Sequence, residues 1–101
     1  TRSGSTARLV AKHRPEAPIL AATPSEKTFQ RLALIWGCQP AMIASTDSIE
    51  TLIVQSMRAA GAAGLASTGD SAVITAGVPL QVSGITNLIK VQKMSKDFAV
   101  P

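Results

Sequence analysis

Short apolar runs alternate with helical repeats along this chain, and that alternation restricts it to folds in which helices cover a mainly parallel sheet. Residues Thr6 to His13 read as a first helix, stopped at Arg14-Pro15 because the residue before a proline is pushed out of helical geometry. Ala17 to Ala22 is a short apolar run of the kind that forms a strand buried on both faces. Thr23-Pro24-Ser25-Glu26 then signals a helix start, with Thr23 as cap, Pro24 in the first turn and Glu26 reaching back. Phe29, Leu32, Ala33 and Trp36 recur at helical spacing, which predicts a helix ending at Gly37 with Trp36 in the core.

Ala41 to Ala44 reads as a second strand, and Ser45-Thr46-Asp47 opens a third helix lined by Ile49, Leu52, Ile53, Met57 and Ala60 and ending near Gly64. After the tight-turn signal Gly69-Asp70, Ala72 to Gly77 is strand-like, and Ile85 to Gln92 alternates in period two. This last pair implies a hairpin with its final strand at a sheet edge, partly protected by Lys90. The fold expected is a three-layer α/β/α sandwich with a mixed, mostly parallel sheet and an antiparallel last strand. One domain is expected over residues 1–93, with a loose tail over 94–101.

Composition narrows the functions. The formal charge is +4, with Arg2, Arg8, Lys12 and Arg14 ahead of the first acid, Glu16, so small anions are natural partners. Aromatic residues are 3% of the chain, which leaves no base-stacking platform, and the basic residues form no run; nucleic acid is not an expected partner. The single Cys38 allows no internal disulfide, and one histidine leaves no cluster for a structural zinc site. No apolar run approaches the roughly 20 residues needed to cross a bilayer, and the N-terminus does not resemble a signal peptide. A cytoplasmic protein with no membrane partner is expected.

The opening residues Thr1-Arg2-Ser3-Gly4-Ser5-Thr6 place four hydroxyls and a glycine directly before the first helix. Two readings fit. A Ser/Thr cluster there can simply cap the helix. It can equally hold an anion, because a helix start presents unpaired N–H groups and a partial positive charge, to which a loop adds hydroxyl donors. No catalytic constellation is apparent: His13 reads as a helix-end residue, Cys38 as a small apolar filler, and the six acids are scattered. No catalytic or metal-binding residues are therefore assigned.

The set Thr1-x-Ser3-Gly4-x-Thr6-Ala7, Arg14-Pro15-x-Ala17-Pro18-Ile19-x-Ala21-x-Thr23, Trp36-Gly37, Gly69-Asp70, Val73-Ile74-Thr75-Ala76-Gly77-x-Pro79 and Gly84-x-Thr86-Asn87-Leu88-Ile89-Lys90-Val91 resembles the C-terminal domain of pyruvate kinase, bacterial type. The resemblance runs from Thr1 to about Val91. It implies a non-catalytic domain that follows a (β/α)8 barrel transferring phosphoryl from phosphoenolpyruvate to ADP, with magnesium and potassium used by the barrel and no cofactor in this chain. It implies a homo-oligomer and a phosphorylated small-molecule effector, with the phosphate in the loop matched by Thr1, Ser3, Gly4, Ser5 and Thr6. A covering loop is matched by Pro79, Ser83 and Gly84.

Two departures qualify the resemblance. The family has helical segments and a central strand before the Thr-x-Ser-Gly loop, so this chain is expected to be a fragment of a longer kinase; a free-standing phosphate-binding module is the alternative. From Cys38 to Met57 there is no Lys or Arg, and the third helix offers only Arg58, so a ligand with one phosphate is expected rather than a bisphosphate.

Overall fold

The computed structural model describes residues 1–77 and 86–98, which form two compact units, Thr1–Ser45 and a second from Thr46 onward. In the first unit the order is α1 (Ser5–Lys12), β1 (Ile19–Thr23), α2 (Glu26–Leu32) and β2 (Cys38–Met42). β1 and β2 are parallel, with Ile19 opposite Cys38 and Thr23 opposite Met42. Parallel neighbours need a crossover, which α2 provides. Ala7 from α1, Ala21 from β1 and Leu32 from α2 form the buried cluster, with Ile35 and Cys38 packed against it. The alanines let α1 lie close to the strands. Burial pushes the Cys38 thiol above its usual range, and its sulfur lies 3.8 Å from the Ala7 carbonyl oxygen, so it fills space as expected.

Three expectations for this unit are corrected. The cap of α2 is Ser25, whose Oγ accepts from the Thr28 N–H at 3.2 Å; Thr23 instead ends β1, fully buried, with its Oγ1 accepting from the Ser25 N–H at 3.1 Å. Two hydroxyls compete for one helix start, and strand pairing claims the first. α2 also stops at Leu32, a turn before Gly37. Trp36 consequently leaves the helix and is 58% exposed, with Ile35 turned to the core in its place. β2 begins three residues earlier than expected and contains Pro40. Proline reads as a boundary in sequence, but an edge strand tolerates it because the missing N–H costs nothing on the unpaired side; among the described residues β2 pairs only with β1.

The second unit contains α3 (Ile49–Ala62), β3 (Ser71–Ala76), β4 (Leu88–Lys93) and a 3-10 turn at Lys96–Phe98. The cap of α3 is Ser48, accepting from the Thr51 N–H at 3.2 Å, rather than the Ser45-Thr46-Asp47 triplet. Met57 and Ala60 are its buried residues, and the left-handed Gly64 follows its end, as the sequence indicates. The turn at Gly69 has φ +97°, and Asp70 accepts from the Ser67 N–H at 2.9 Å. β3 and β4 pair antiparallel from Ser71 opposite Lys93 to Ala76 opposite Leu88, as the alternation implies. β4 begins at Leu88 rather than Ile85, which lies outside the described residues.

The tail is tied down further than expected. Met94 is buried, its N–H donates to the Asp70 carbonyl at 2.7 Å and its carbonyl accepts from the Gly69 N–H at 2.9 Å. The class is the α/β one expected, with parallel pairing first and an antiparallel last strand. Among the described residues the strands form two ladders, β1-β2 and β3-β4.

Candidate functional site

The opening loop is built on Gly4. This residue is the N-cap of α1, with φ +84° and no side-chain cap hydrogen bond. A left-handed backbone strongly favours glycine. Space demands it as well: a Cβ here would lie 3.2 Å from Leu32 Cδ2 and 3.3 Å from Thr28 Cγ2. Gly4→Ala is expected to destabilise the protein by about 1–2 kcal/mol through backbone strain, read as a lower midpoint in urea denaturation. A midpoint equal to wild type would show that the loop adjusts freely.

The hydroxyls are gathered around the start of α1, and one of them accepts from its first N–H. Thr1 Oγ1 accepts from the Gly4 N–H at 2.8 Å and closes the loop. The Ser3 hydroxyl donates to Ser5 Oγ at 3.1 Å and accepts from the Ser5 N–H at 3.4 Å. Ser3 and Ser5 are exposed, Thr6 is half-buried, and Gly4 is buried beneath them. The first turn of α1 carries no acid, so nothing in it neutralises the positive end of the helix.

Three anchors fix the loop at the carboxyl ends of β1 and β2. The Thr1 nitrogen donates to the Ala22 carbonyl, the Thr28 hydroxyl donates to the Arg2 carbonyl, and the Arg2 guanidinium donates to Ser45 Oγ at 3.0 Å. Ligands of α/β sheets gather outside the carboxyl ends of the strands. The structure thus sets Thr1, Ser3 and Gly4 in the loop and Ser5 and Thr6 in the first turn of α1, while Pro79, Ser83 and Gly84 lie outside the described residues. Arg2, Thr28 and Ser45 were not expected at this site. Only the charge of Arg2 beside the hydroxyl cluster signals it in sequence.

His13 caps the end of α1 and is exposed. Among the described residues no three His, Cys, Asp or Glu side chains converge to hold a metal ion, and no helix is long and apolar enough to cross a membrane.

The family model of the pyruvate kinase α/β domain matches residues 1–92. This chain belongs to that family. The pyruvate kinase of Clostridium acetobutylicum is 49% identical over 92 residues, and that of Staphylococcus aureus is 39% identical over 99. The alignments take in 91% and 98% of this chain but 20% and 17% of those relatives. The crystal structure of a pyruvate kinase from Cryptosporidium parvum superposes with a TM-score of 0.78 at 28% identity, covering 93% of this chain and 18% of that one. The chain therefore spans about a fifth of the length of the pyruvate kinases it matches.

Proposed function

We propose that this chain, over residues 1–93, is the regulatory and oligomerisation domain of a pyruvate kinase, and that its opening loop binds the phosphate of a small-molecule effector. The observation that carries the site is the N-cap of α1. Gly4 occupies it, and Ser3 and Ser5 stand on the exposed rim of a helix start whose first turn holds no acid. A phosphate seated there gains charge-assisted hydrogen bonds from hydroxyls and backbone N–H groups and a favourable interaction with the helix dipole. Pro79, Ser83 and Gly84 belong to the loop assigned to cover it. The absence of Lys and Arg between Cys38 and Met57 favours a ligand with one phosphate.

In this reading the transfer of phosphoryl from phosphoenolpyruvate to ADP takes place on a barrel elsewhere in the parent polypeptide. Magnesium and potassium would be held there. The parent is cytoplasmic and homo-oligomeric, with Leu88 and Lys90 on β4 near the subunit contact. β4 supports this because, among the described residues, it pairs only with β3 and so presents a second edge to another copy.

Two measurements test the proposal. The isolated 101-residue chain is expected to show no turnover with phosphoenolpyruvate, ADP and magnesium; turnover above a mock preparation that survives further purification would overturn the non-catalytic assignment. In the parent protein, sugar monophosphates or nucleoside monophosphates are expected to shift the phosphoenolpyruvate saturation curve. A curve indifferent to every phosphorylated compound would remove the regulatory role.

A further inference from the structure

The end of α3, the turn at Ser67-Thr68 and the chain leaving β4 border a cavity of about 340 Å³ within the second unit. Ligand pockets run from about 300 to 1,000 Å³, so there is room for one small molecule. The walls are braced. Asp70 Oδ2 accepts from the Ser67 N–H at 2.9 Å, the Gly69 N–H donates to the Met94 carbonyl at 2.9 Å, and the 3-10 turn that carries Phe98 packs on α3.

Gly61 leaves the cavity open. It lies inside α3 without a positive φ, so its backbone makes no demand for glycine. Outside its own helix, a Cβ there would meet only Met94 Cε, at the ordinary contact distance of 3.5 Å. Glycine is the poorest helix former after proline. Neither conformation nor close packing accounts for it, and what it provides is the space facing Met94.

The lining combines two chemistries. Met94 and Phe98 supply an apolar, polarisable face, the thioether suited to the edge of an aromatic ring and the phenyl group to stacking. Ser67, Thr68 and Ser95 supply hydroxyls, and none of the three makes a side-chain hydrogen bond within the described residues. No ionisable side chain among the described residues lines the cavity. The charged neighbours in sequence, Arg58, Lys93, Lys96 and Asp97, are exposed and stand outside the lining, and the Asp70 carboxylate is engaged by the Ser67 N–H. A charged ligand buried there would lack a counter-charge, which is costly.

We propose that this cavity is a second ligand site, sharing no residue with the phosphate loop, and that it takes a neutral aromatic ring bearing an amide or a similar hydrogen-bonding group. The ring packs on Met94 and Phe98, and its polar edge meets the hydroxyls of Ser67, Thr68 and Ser95. The assignment does not depend on the kinase reading.

The test follows methyl-labelled methionine in the parent protein by NMR, with the Met94 signal assigned by its loss in Met94→Leu. The probe is nicotinamide, and nicotinate, the same ring with a carboxylate, is the charged control. Nicotinamide is expected to shift the Met94 signal saturably and to leave that of Met42 in place, whereas nicotinate should bind at least about tenfold more weakly. Gly61→Leu fills the space with a better helix former and is expected to abolish the shift with circular dichroism unchanged. Ser67→Ala combined with Thr68→Ala, at exposed positions that cannot disturb the core, probes the same site and should lower the affinity by about tenfold. A Met94 signal indifferent to millimolar nicotinamide, or a shift unaltered in both variants, would overturn the site. Equal affinity for nicotinate would overturn the neutral class of ligand.

Discussion

Leu32→Ala is expected to destabilise the protein by about 2–5 kcal/mol, the range for truncating a fully buried leucine. Leu32 has no exposed surface and joins Ala7 from α1 to Ala21 from β1. The other two fully buried members of that cluster are alanines, which cannot swing into the vacated space, so part of the cavity should persist. A folded domain has only about 5–15 kcal/mol in total. Urea denaturation followed by circular dichroism should show a midpoint lower by about 1 M or more, given slopes of about 1–3 kcal/mol per molar. Because Leu32 Cδ2 also forms the floor beneath Gly4, the variant should lose affinity for phosphorylated ligands even where it remains folded. A wild-type midpoint would mean that the core lies elsewhere.

The second large effect belongs to the loop. Ser3→Ala combined with Thr6→Ala is expected to lower the affinity of the parent protein for a phosphorylated effector by more than about a hundred-fold, since hydrogen bonds to a charged group are worth about 1.5–3 kcal/mol each. Ser3 is exposed and Thr6 half-buried, so neither substitution opens a core cavity and the protein should stay folded. The two hydroxyls would share one ligand, so the effects of the single variants need not add. Calorimetric titration checks this, and unchanged affinity in the double variant would place the ligand elsewhere.

Legibility in the sequence followed the range of the interactions involved. α1, the turn at Gly69-Asp70 and the β3-β4 pair were readable because each is signalled by neighbouring residues: a proline stop, a glycine with positive φ, a period of two. Trp36 was misplaced because Phe29, Leu32, Ala33 and Trp36 keep helical spacing across a point where the chain has already turned. Thr23 and Ser25 are both good caps, and only the pairing of β1 with β2 decides between them. Pro40 looks like a boundary until β2 is seen, among the described residues, to pair only with β1.

The candidate site divides in the same way. Its hydroxyls and glycine lie within six residues and were visible at once. Its anchors span 21, 26 and 43 residues, from Thr1 to Ala22, Arg2 to Thr28 and Arg2 to Ser45, and no local pattern announces them. The sequence also left open whether the cluster merely caps α1. The structure keeps a capping share for the cluster, since the Ser3 hydroxyl accepts from the Ser5 N–H at the start of α1.

The central claim is that the opening loop receives a phosphate, and the location of a bound one tests it most directly. Crystals of the parent protein grown with a sugar monophosphate should show difference density for the phosphate within hydrogen-bond reach of the Ser3, Ser5 and Thr6 hydroxyls and the first N–H groups of α1. Density for the phosphate at another site, with this loop empty at saturating ligand, would contradict the account.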